Sequence, residues 1–329
     1  MENYEVKHEQ KFYLYKLKAE KVIYWVFFYS LIIGLCFAIL YPIFKLIPMV
    51  FNNLEDLGNP DIIWVPRQLS ILSFKAAVRL VYKNGMPMVY SLGYALIIAL
   101  IQVFMSAMAG YSLGRVDFRG RKIVFFLVIL TFVVPSQSLL ISQYLRFKNF
   151  DIFGLITLIN GGTIDLINRQ GILYILALLG FGVKQSLFIF IYKQFFEGLP
   201  NELEEAAFID GCGFYKTYFR IALPNSIPAT ITVAILSFVW NYADTYYTGY
   251  FHPDGQYLSV ILTNVFRPAN MQTILRSLDV WYDVAAANAL SFDAVKQAAG
   301  IIYMIPLLII YFIIQKRMIE NFERSGIVG

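Results

Sequence analysis

Glu205 and Asp210 are the carboxylates of a short polar segment, Glu205-Ala206-Ala207-Phe208-Ile209-Asp210-Gly211, which Glu204 directly precedes and which is followed after nine residues by Ile221-Ala222-Leu223-Pro224. The segment lies between two long apolar runs, where a membrane protein meets a soluble partner. Pro200 and Asn201 can start a helix there, and Glu202, Glu204 and Glu205 fall in its first turns, where the helix dipole favours acids. Ala206 and Ala207 propagate it. Gly211 accepts the left-handed backbone of a sharp turn, so a second short helix is expected over 214–220, until Pro224 interrupts it. The expected product is a helical elbow outside the bilayer.

A second group of polar residues sits inside apolar runs. Val133-Val134-Pro135-Ser136-Gln137 breaks one run midway, and its proline frees a backbone carbonyl that can face a cavity; a simple packing kink explains the same residues. Trp240-Asn241-Tyr242-Ala243-Asp244 places an amide and a carboxylate where facing lipid is costly, so Asn241 and Asp244 are expected to face the bundle interior or a translocation path. If that helix ends early, Asp244 is an interface residue instead.

Other chemistries lack their residues. No Gly-x-x-x-x-Gly-Lys-Ser/Thr occurs, so the chain cannot cradle ATP phosphates alone. His8 and His252 fall on opposite sides of the expected membrane, and no His-Glu-x-x-His or Cys-x-x-Cys marks a metal site. Cys36 lies in the first apolar run and Cys212 in the polar elbow, so both are read as free thiols.

The elements that position these residues follow from composition. Hydrophobic residues make up 58% of the 329 and charged residues 15%, and the mean hydropathy is +0.60. That excludes an ordinary soluble domain, whose apolar share is about 45–50%. Runs long enough to cross a bilayer occur at 22–47, 89–113, 123–145, 172–191, 229–250 and 298–314, which predicts an all-α membrane protein with six transmembrane helices. A weaker patch at 150–167 carries Asn160-Gly161-Gly162 and Asp165 and reads as external or re-entrant, with a seventh span as the alternative. The first run is too long and too aromatic for a cleaved signal peptide, and is expected to remain.

Lysine and arginine set the orientation. Lys7, Lys11, Lys16, Lys18 and Lys21 precede the first run, Arg115, Arg119, Arg121 and Lys122 follow the second, and Lys316, Arg317 and Arg324 close the chain. The positive-inside rule places all three groups, and both termini, in the cytoplasm. The elbow, with Lys193, Lys216 and Arg220, falls on the same side. Arg67, Lys75, Arg79 and Lys83 oppose the rule in a longer and more dilute segment. Topology accounts for the basic balance without nucleic acid.

The Glu-Ala-Ala, three residues, Gly, nine residues, Ile-x-Leu-Pro pattern resembles the coupling loop of permease subunits of type I bacterial ABC importers, with every anchor filled. Ala109-Gly110-Tyr111-Ser112-Leu113-Gly114-Arg115 and Phe118-Arg119-Gly120-Arg121 resemble the turn found there in the carbohydrate, maltose-type group. Small residues in that turn allow close helix packing. Trp240-Asn241 resembles a pair in its sugar-importing members. The tail, Ser325-Gly326-Ile327-Val328-Gly329, resembles the Gly-rich end of the maltose-type permeases but lacks their lysine.

The resemblance implies a type I ABC importer permease fold with a cytoplasmic coupling helix. Its division is a basic cytoplasmic tail at 1–21, a first membrane helix at 22–51, an external loop with an interfacial helix at 52–85, a core domain at 86–318 and a tail at 319–329. The core contains the coupling loop at 197–224 and a long external loop at 251–291, which in relatives can reach a loaded binding protein.

The implied function is half of the pathway of an ATP-driven carbohydrate importer in the bacterial cytoplasmic membrane. Its implied partners are a second permease, preferably a different chain, two ATPase subunits that bind the ATP and magnesium, and an extracellular solute-binding protein. No catalysis and no cofactor in this chain are expected. Glu204, Glu205, Ala206, Ala207, Phe208, Asp210, Gly211, Ile221, Leu223 and Pro224 would couple to the ATPase: one of the two glutamates pairs with a basic residue, and Ala206, Ala207 and Phe208 pack into its groove. Gln137, Trp240, Asn241 and Asp244 are the substrate-path candidates. An ion-coupled transporter and a membrane scaffold are the rival readings. The poverty of carboxylates within the spans opposes the first, and the polar residues Gln102, Gln137, Asn241 and Asp244 oppose the second. The sugar itself stays open.

Overall fold

Long apolar runs without water to satisfy their backbone must become helices, and helices dominate the chain. The computed structural model describes residues 2–53, 56–59, 61, 64–82, 85–270, 273 and 289–326, and its description does not extend to the side chains of 2–17, 19, 136, 137, 160, 289 and 317–326. Expectations for the side chains of Lys7, His8, Lys11, Lys16, Gln137, Arg317 and Arg324, for Lys83, for the 274–288 part of the external loop and for 327–329 lie outside the described residues.

The helices run α1 Glu2–Phe51, α2 Leu72–Val81, α3 Pro87–Arg115, α4 Arg121–Val133, α5 Ser136–Lys148, α6 Leu155–Asn160, α7 Gly171–Leu178 and α8 Gln185–Glu197. After these come α9 Asn201–Ile209, α10 Phe214–Thr217, a π turn Tyr218–Ala222, α11 Leu223–Asn225, α12 Ile227–Ala243, α13 Tyr247–Phe251, α14 Leu258–Val265 and α15 Ala289–Gly326. They form two compact units, one up to residue 77 with the start of α15 to 298, the other over 78–273 and from 299 onward.

In the first unit, α1 is followed by a return that brings Ser70 N–H to the Phe51 carbonyl at 2.7 Å and sets Phe51 against Phe74 with tilted rings, 5.0 Å between ring centres. α2 buries Ser73, Ala76 and Ala77, the i, i+3, i+4 face expected of an amphipathic helix. Val50, near the end of α1, is buried, while an 18-residue apolar window of the helix has no buried residue.

In the second unit α3 is the axle. At 29 residues it is about 43 Å long at the α-helical rise, and α7, α8, α12 and α14 all pack against it. Closest approach to α8 is set by Gly110 and Gly114. A Cβ added at Gly110 would stand 2.5 Å from Tyr192 Cβ and 2.9 Å from the Lys193 nitrogen, so only glycine fits.

Among the described residues three helices are long and apolar enough to cross a membrane, Glu20–Phe51, Pro87–Arg115 and Leu290–Lys316, or up to five if each bent pair is one span. Of the six expected transmembrane helices, only some are single unbroken helices among the described residues. The third run bends by 104° between α4 and α5, at Val134 and Pro135, where the proline cannot continue the helical ladder. The fourth run is split into α7 and α8 by Gly180, with φ +85°, and Lys184, with φ 53°. Gln185 closes that split: its amide donates to the Ala177 carbonyl at 2.7 Å and its side-chain oxygen accepts from Gly182 N–H at 3.0 Å. The chain bends by 75° at Ser226, just ahead of the fifth run, and α12 ends at Ala243, seven residues before hydropathy suggested.

The weak patch at 150–167 forms the six-residue α6 within a turn. Phe150 and Ile164 exchange backbone hydrogen bonds of 2.9 and 3.1 Å, which closes the segment into a hairpin-like turn carrying α6. Asp151 caps α6 through Ile156 N–H at 2.9 Å and the Thr157 hydroxyl, and those donors hold its carboxyl below the ordinary range.

Candidate functional site

Gly198, Leu199 and Pro200 turn the chain out of α8 into the polar elbow. Pro200, at φ −57° and ψ 133°, suits the residue before a helix, and α9 follows at once with Glu202 and Glu204 in its first turn. At its far end Gly211 takes φ +78°. Its N–H bonds the Phe208 carbonyl at 3.0 Å, and Cys212 N–H reaches back to Ala207 at 2.9 Å, the paired closure of a glycine-ended helix.

α10 then starts after Gly213. The expected stop at Pro224 is displaced: Leu223 donates to Tyr218, five residues back, opening a π turn, and Pro224 sits inside α11. The break falls at Ser226, whose hydroxyl bonds the Leu223 carbonyl at 2.8 Å, while the Asn225 amide bonds the Ile221 carbonyl at 2.8 Å. These side chains add hydrogen bonds to backbone carbonyls at the bend.

The elbow has two faces. Inward, Ala207 is buried and Glu204 half-buried, as i, i+3 neighbours must be on one helix face. Below them Tyr111, Phe196, Tyr218 and Ala222 form one core with Phe188, Tyr192 and Val233. Outward, Glu205, Ala206, Phe208, Asp210 and Pro224 are exposed, and Ile221 and Leu223 half-buried. Large apolar side chains stand out around them, among them Ile209 at 85% and Tyr215 at 73% exposure.

Arg115, the last residue of α3, holds the inward face. Its guanidinium donates to the Leu199 carbonyl and to Asn201 Oδ1, and its Nε lies 3.6 Å from Glu204 Oε1. The Arg115 and Glu204 side chains are only 9% and 14% exposed. One arginine thus ties the end of α3 to both the entry and the first turn of α9.

Next to it Arg121 donates to the Leu113 and Gly114 carbonyls at 2.6 and 2.7 Å, and to Glu197 at 3.1 Å. Lys193 meets Glu197 at 2.6 Å and lies over the Phe125 ring. Glu197 was not singled out from the sequence, although its i, i+4 spacing from Lys193 was the available signal.

The substrate-path candidates are separated from this elbow along α12. Asn241 is buried and its amide donates to Gln102 Oε1 at 2.9 Å and to the Ser237 carbonyl at 2.8 Å. Gln102 also accepts from the Ser237 hydroxyl and donates to the Val183 carbonyl at the α7–α8 break. Trp240 stacks on Phe188, 5.6 Å between centres. Asp244 lies beyond the end of α12 and accepts N–H groups of Tyr246, Tyr247 and Thr248 at 3.3, 3.2 and 2.8 Å, so it starts α13. Asn241 and Gln102 are brought together, while Asp244 joins a different set of partners.

Residues 102–322, which hold the Arg115–Glu204 clamp, the elbow and this network, match the family described as the binding-protein-dependent transport system inner membrane component. The chain belongs to that family. As such a transport-system membrane component it resembles the polygalacturonan/rhamnogalacturonan transport system permease protein YtcP of Bacillus subtilis (strain 168), 24% identical over 88% of this chain and 91% of that relative. It also resembles the arabinooligosaccharides transport system permease protein AraQ of Halalkalibacterium halodurans, 24% identical over 95% and 100%. The probable starch degradation products transport system permease protein AmyC of Thermoanaerobacterium thermosulfurigenes is 33% identical, but the match spans 45% of this chain and 47% of AmyC. The fold matches a chain in the crystal structure of a bacterial ABC transporter involved in the import of the acidic polysaccharide alginate, with a TM-score of 0.61, 18% identity and coverage of 89% and 96%.

Proposed function

We propose that this chain is a transmembrane subunit of an ATP-driven, binding-protein-dependent importer of carbohydrate, and that the α9–α10 elbow couples it to an ATPase subunit. The observation that carries the reading is the two-sidedness of the elbow: Glu204 and Ala207 are held against the helices, while Glu205, Phe208 and Ile209 are left to another surface. Closure of an ATPase pair would push on the outward face and move α3 through Arg115. The division of the glutamates follows, with Glu204 an internal strut and Glu205 the residue for a basic group of the partner.

In this reading the chain crosses the cytoplasmic membrane six times, through α1, α3, the bent pair α4–α5, the split pair α7–α8, α12 with the helix before it, and α15. Both termini and the elbow are cytoplasmic. The exposed flank of α1 faces lipid or the second permease. Relatives named for starch degradation products, polygalacturonan/rhamnogalacturonan and arabinooligosaccharides support an oligosaccharide as cargo. The ATPase partners hold the ATP and magnesium.

The test is purification of the chain in detergent from its native membrane, with ATPase activity measured with and without candidate oligosaccharides and their binding proteins. A second permease and an ATPase should copurify and respond to one loaded binding protein. A chain that purifies alone and moves sugar without ATP would overturn the reading.

A further inference from the structure

A groove of about 900 Å³ opens beside the clamp, between the turn after α3, the start of α4 and the last turns of α8. Its charge comes from Arg119, Arg121, Lys122 and Lys193 against Asp117 and Glu197, four cations to two carboxylates. The balance is uneven in space. Arg121 and Lys193 are spent on the two carboxylates and on backbone carbonyls. Arg119 and Lys122 stand exposed, without hydrogen-bond or ion-pair partners among the described residues. A net positive pocket with two uncommitted donors at its mouth selects an anion.

The apolar surroundings narrow the anion. α4 rises directly from the groove and has no buried residue. Ile123, Phe126, Leu127 and Leu130 are 66%, 63%, 51% and 42% exposed along it. A free phosphate would fill the mouth and leave that face bare, whereas a molecule with a phosphate at one end and hydrocarbon at the other covers both. The groove also lies at the elbow end of the unit, since its Glu197 directly precedes the turn into α9. By the orientation proposed above, that is the level of the cytoplasmic headgroups.

We infer that this groove binds the headgroup of an anionic phospholipid, its phosphate between Arg119 and Lys122 and its acyl chains along α4. The inference rests on the membrane reading of the chain but not on which sugar it carries. Because Arg121 joins the groove to the Gly114 carbonyl beside the clamp, the bound lipid braces the end of α3 on which the elbow is mounted.

The experiment is native mass spectrometry of the detergent-purified assembly titrated with phosphatidylglycerol, with phosphatidylcholine of the same acyl chains, and with glycerol phosphate. Wild type should retain phosphatidylglycerol in preference to both others, and the R119Q/K122Q variant should bind it about thirtyfold more weakly, as loss of two headgroup-level cations implies. Both residues are exposed, and an unchanged melting temperature without added lipid checks the fold of the variant. Equal phosphatidylglycerol binding by wild type and variant overturns the inference, as does phosphatidylcholine binding as tightly. Glycerol phosphate matching phosphatidylglycerol would make the groove a soluble-anion site. A photocrosslinker at position 122 reacting with the ATPase subunit instead of lipid would make it a protein contact. Copurification of the ATPase is scored separately, so failure of the lipid site is distinguishable from failure of the coupling reading.

Discussion

The Nε of Arg115 lies 3.6 Å from Oε1 of Glu204, and neither atom has another partner. Their elements, α3 and α9, also meet through the hydrogen bond from Arg115 to Asn201, 86 residues apart in the chain. A charge pair shielded from water resists separation, because removing one member strands the other. Arg115→Ala should therefore cost about 3 kcal/mol in the fold of the elbow. It should also expose the 198–213 backbone to protease and drop binding-protein-stimulated ATPase to the basal rate. Glu205→Gln should leave protease resistance intact and weaken ATPase association alone. Equal protease patterns for Arg115→Ala and wild type would remove Arg115 from the coupling path.

Gly211 separates conformational from steric demand. Nothing lies within 4 Å of a Cβ built there, yet φ is +78°. Gly211→Ala should thus cost about 1–2 kcal/mol through backbone strain alone, while Gly211→Asn, which tolerates the left-handed region, should cost less. Transport per ATP hydrolysed should fall in the order Gly, Asn, Ala, then bulkier residues, with membrane insertion unchanged. Transport by Gly211→Val at the wild-type ratio would contradict the coupling role of the turn.

At Gly110 the demand is steric. An added methyl meets Tyr192 Cβ at 2.5 Å and backbone of α8, which cannot swing away as a flexible side chain can. Gly110→Ala should force α3 and α8 apart at a cost of about 1–3 kcal/mol, read as a lower melting temperature in detergent. Gly93, with nothing within 4 Å, provides the control, and Gly93→Ala should be neutral or slightly stabilising.

Much of this was legible because local chemistry dictated it. Acids at a helix start, a glycine at its end and small residues where helices touch all act within a few positions of themselves, so α9, Gly211 and the Gly110 contact could be read from the chain. The α7–α8 split was not, because hydropathy averages over Gly180-Phe181-Gly182-Val183-Lys184 and sees an apolar run. The side chain that repairs the break, Gln185, looks like any polar residue near a span. The role of Asp244 turned on where α12 stops, and boundaries are set by capping geometry that apolar periodicity does not report. Arg115 was visible as a topogenic charge, but its bond to Glu204 depends on α3 and α9 meeting in space.

His252 supplies a pH dependence outside the membrane-spanning helices. Its Nδ1 lies 2.8 Å from the Tyr257 hydroxyl, and Gly255 leaves no room between the two rings for a Cβ. Burial lowers its pKa below the ordinary value of 6.5, against the opposing pull of Asp254. The folded protein therefore binds a proton less readily than the unfolded chain, and stability rises with pH where the unfolded imidazole is still protonated. The contribution is fully present above pH 6.5 and is lost as pH falls from there through the lower folded value. Melting temperature in detergent should decline from pH 7.5 to pH 5, and His252→Asn, which cannot titrate in that window, should flatten the decline. A slope unchanged in the variant would assign the pH dependence to other groups.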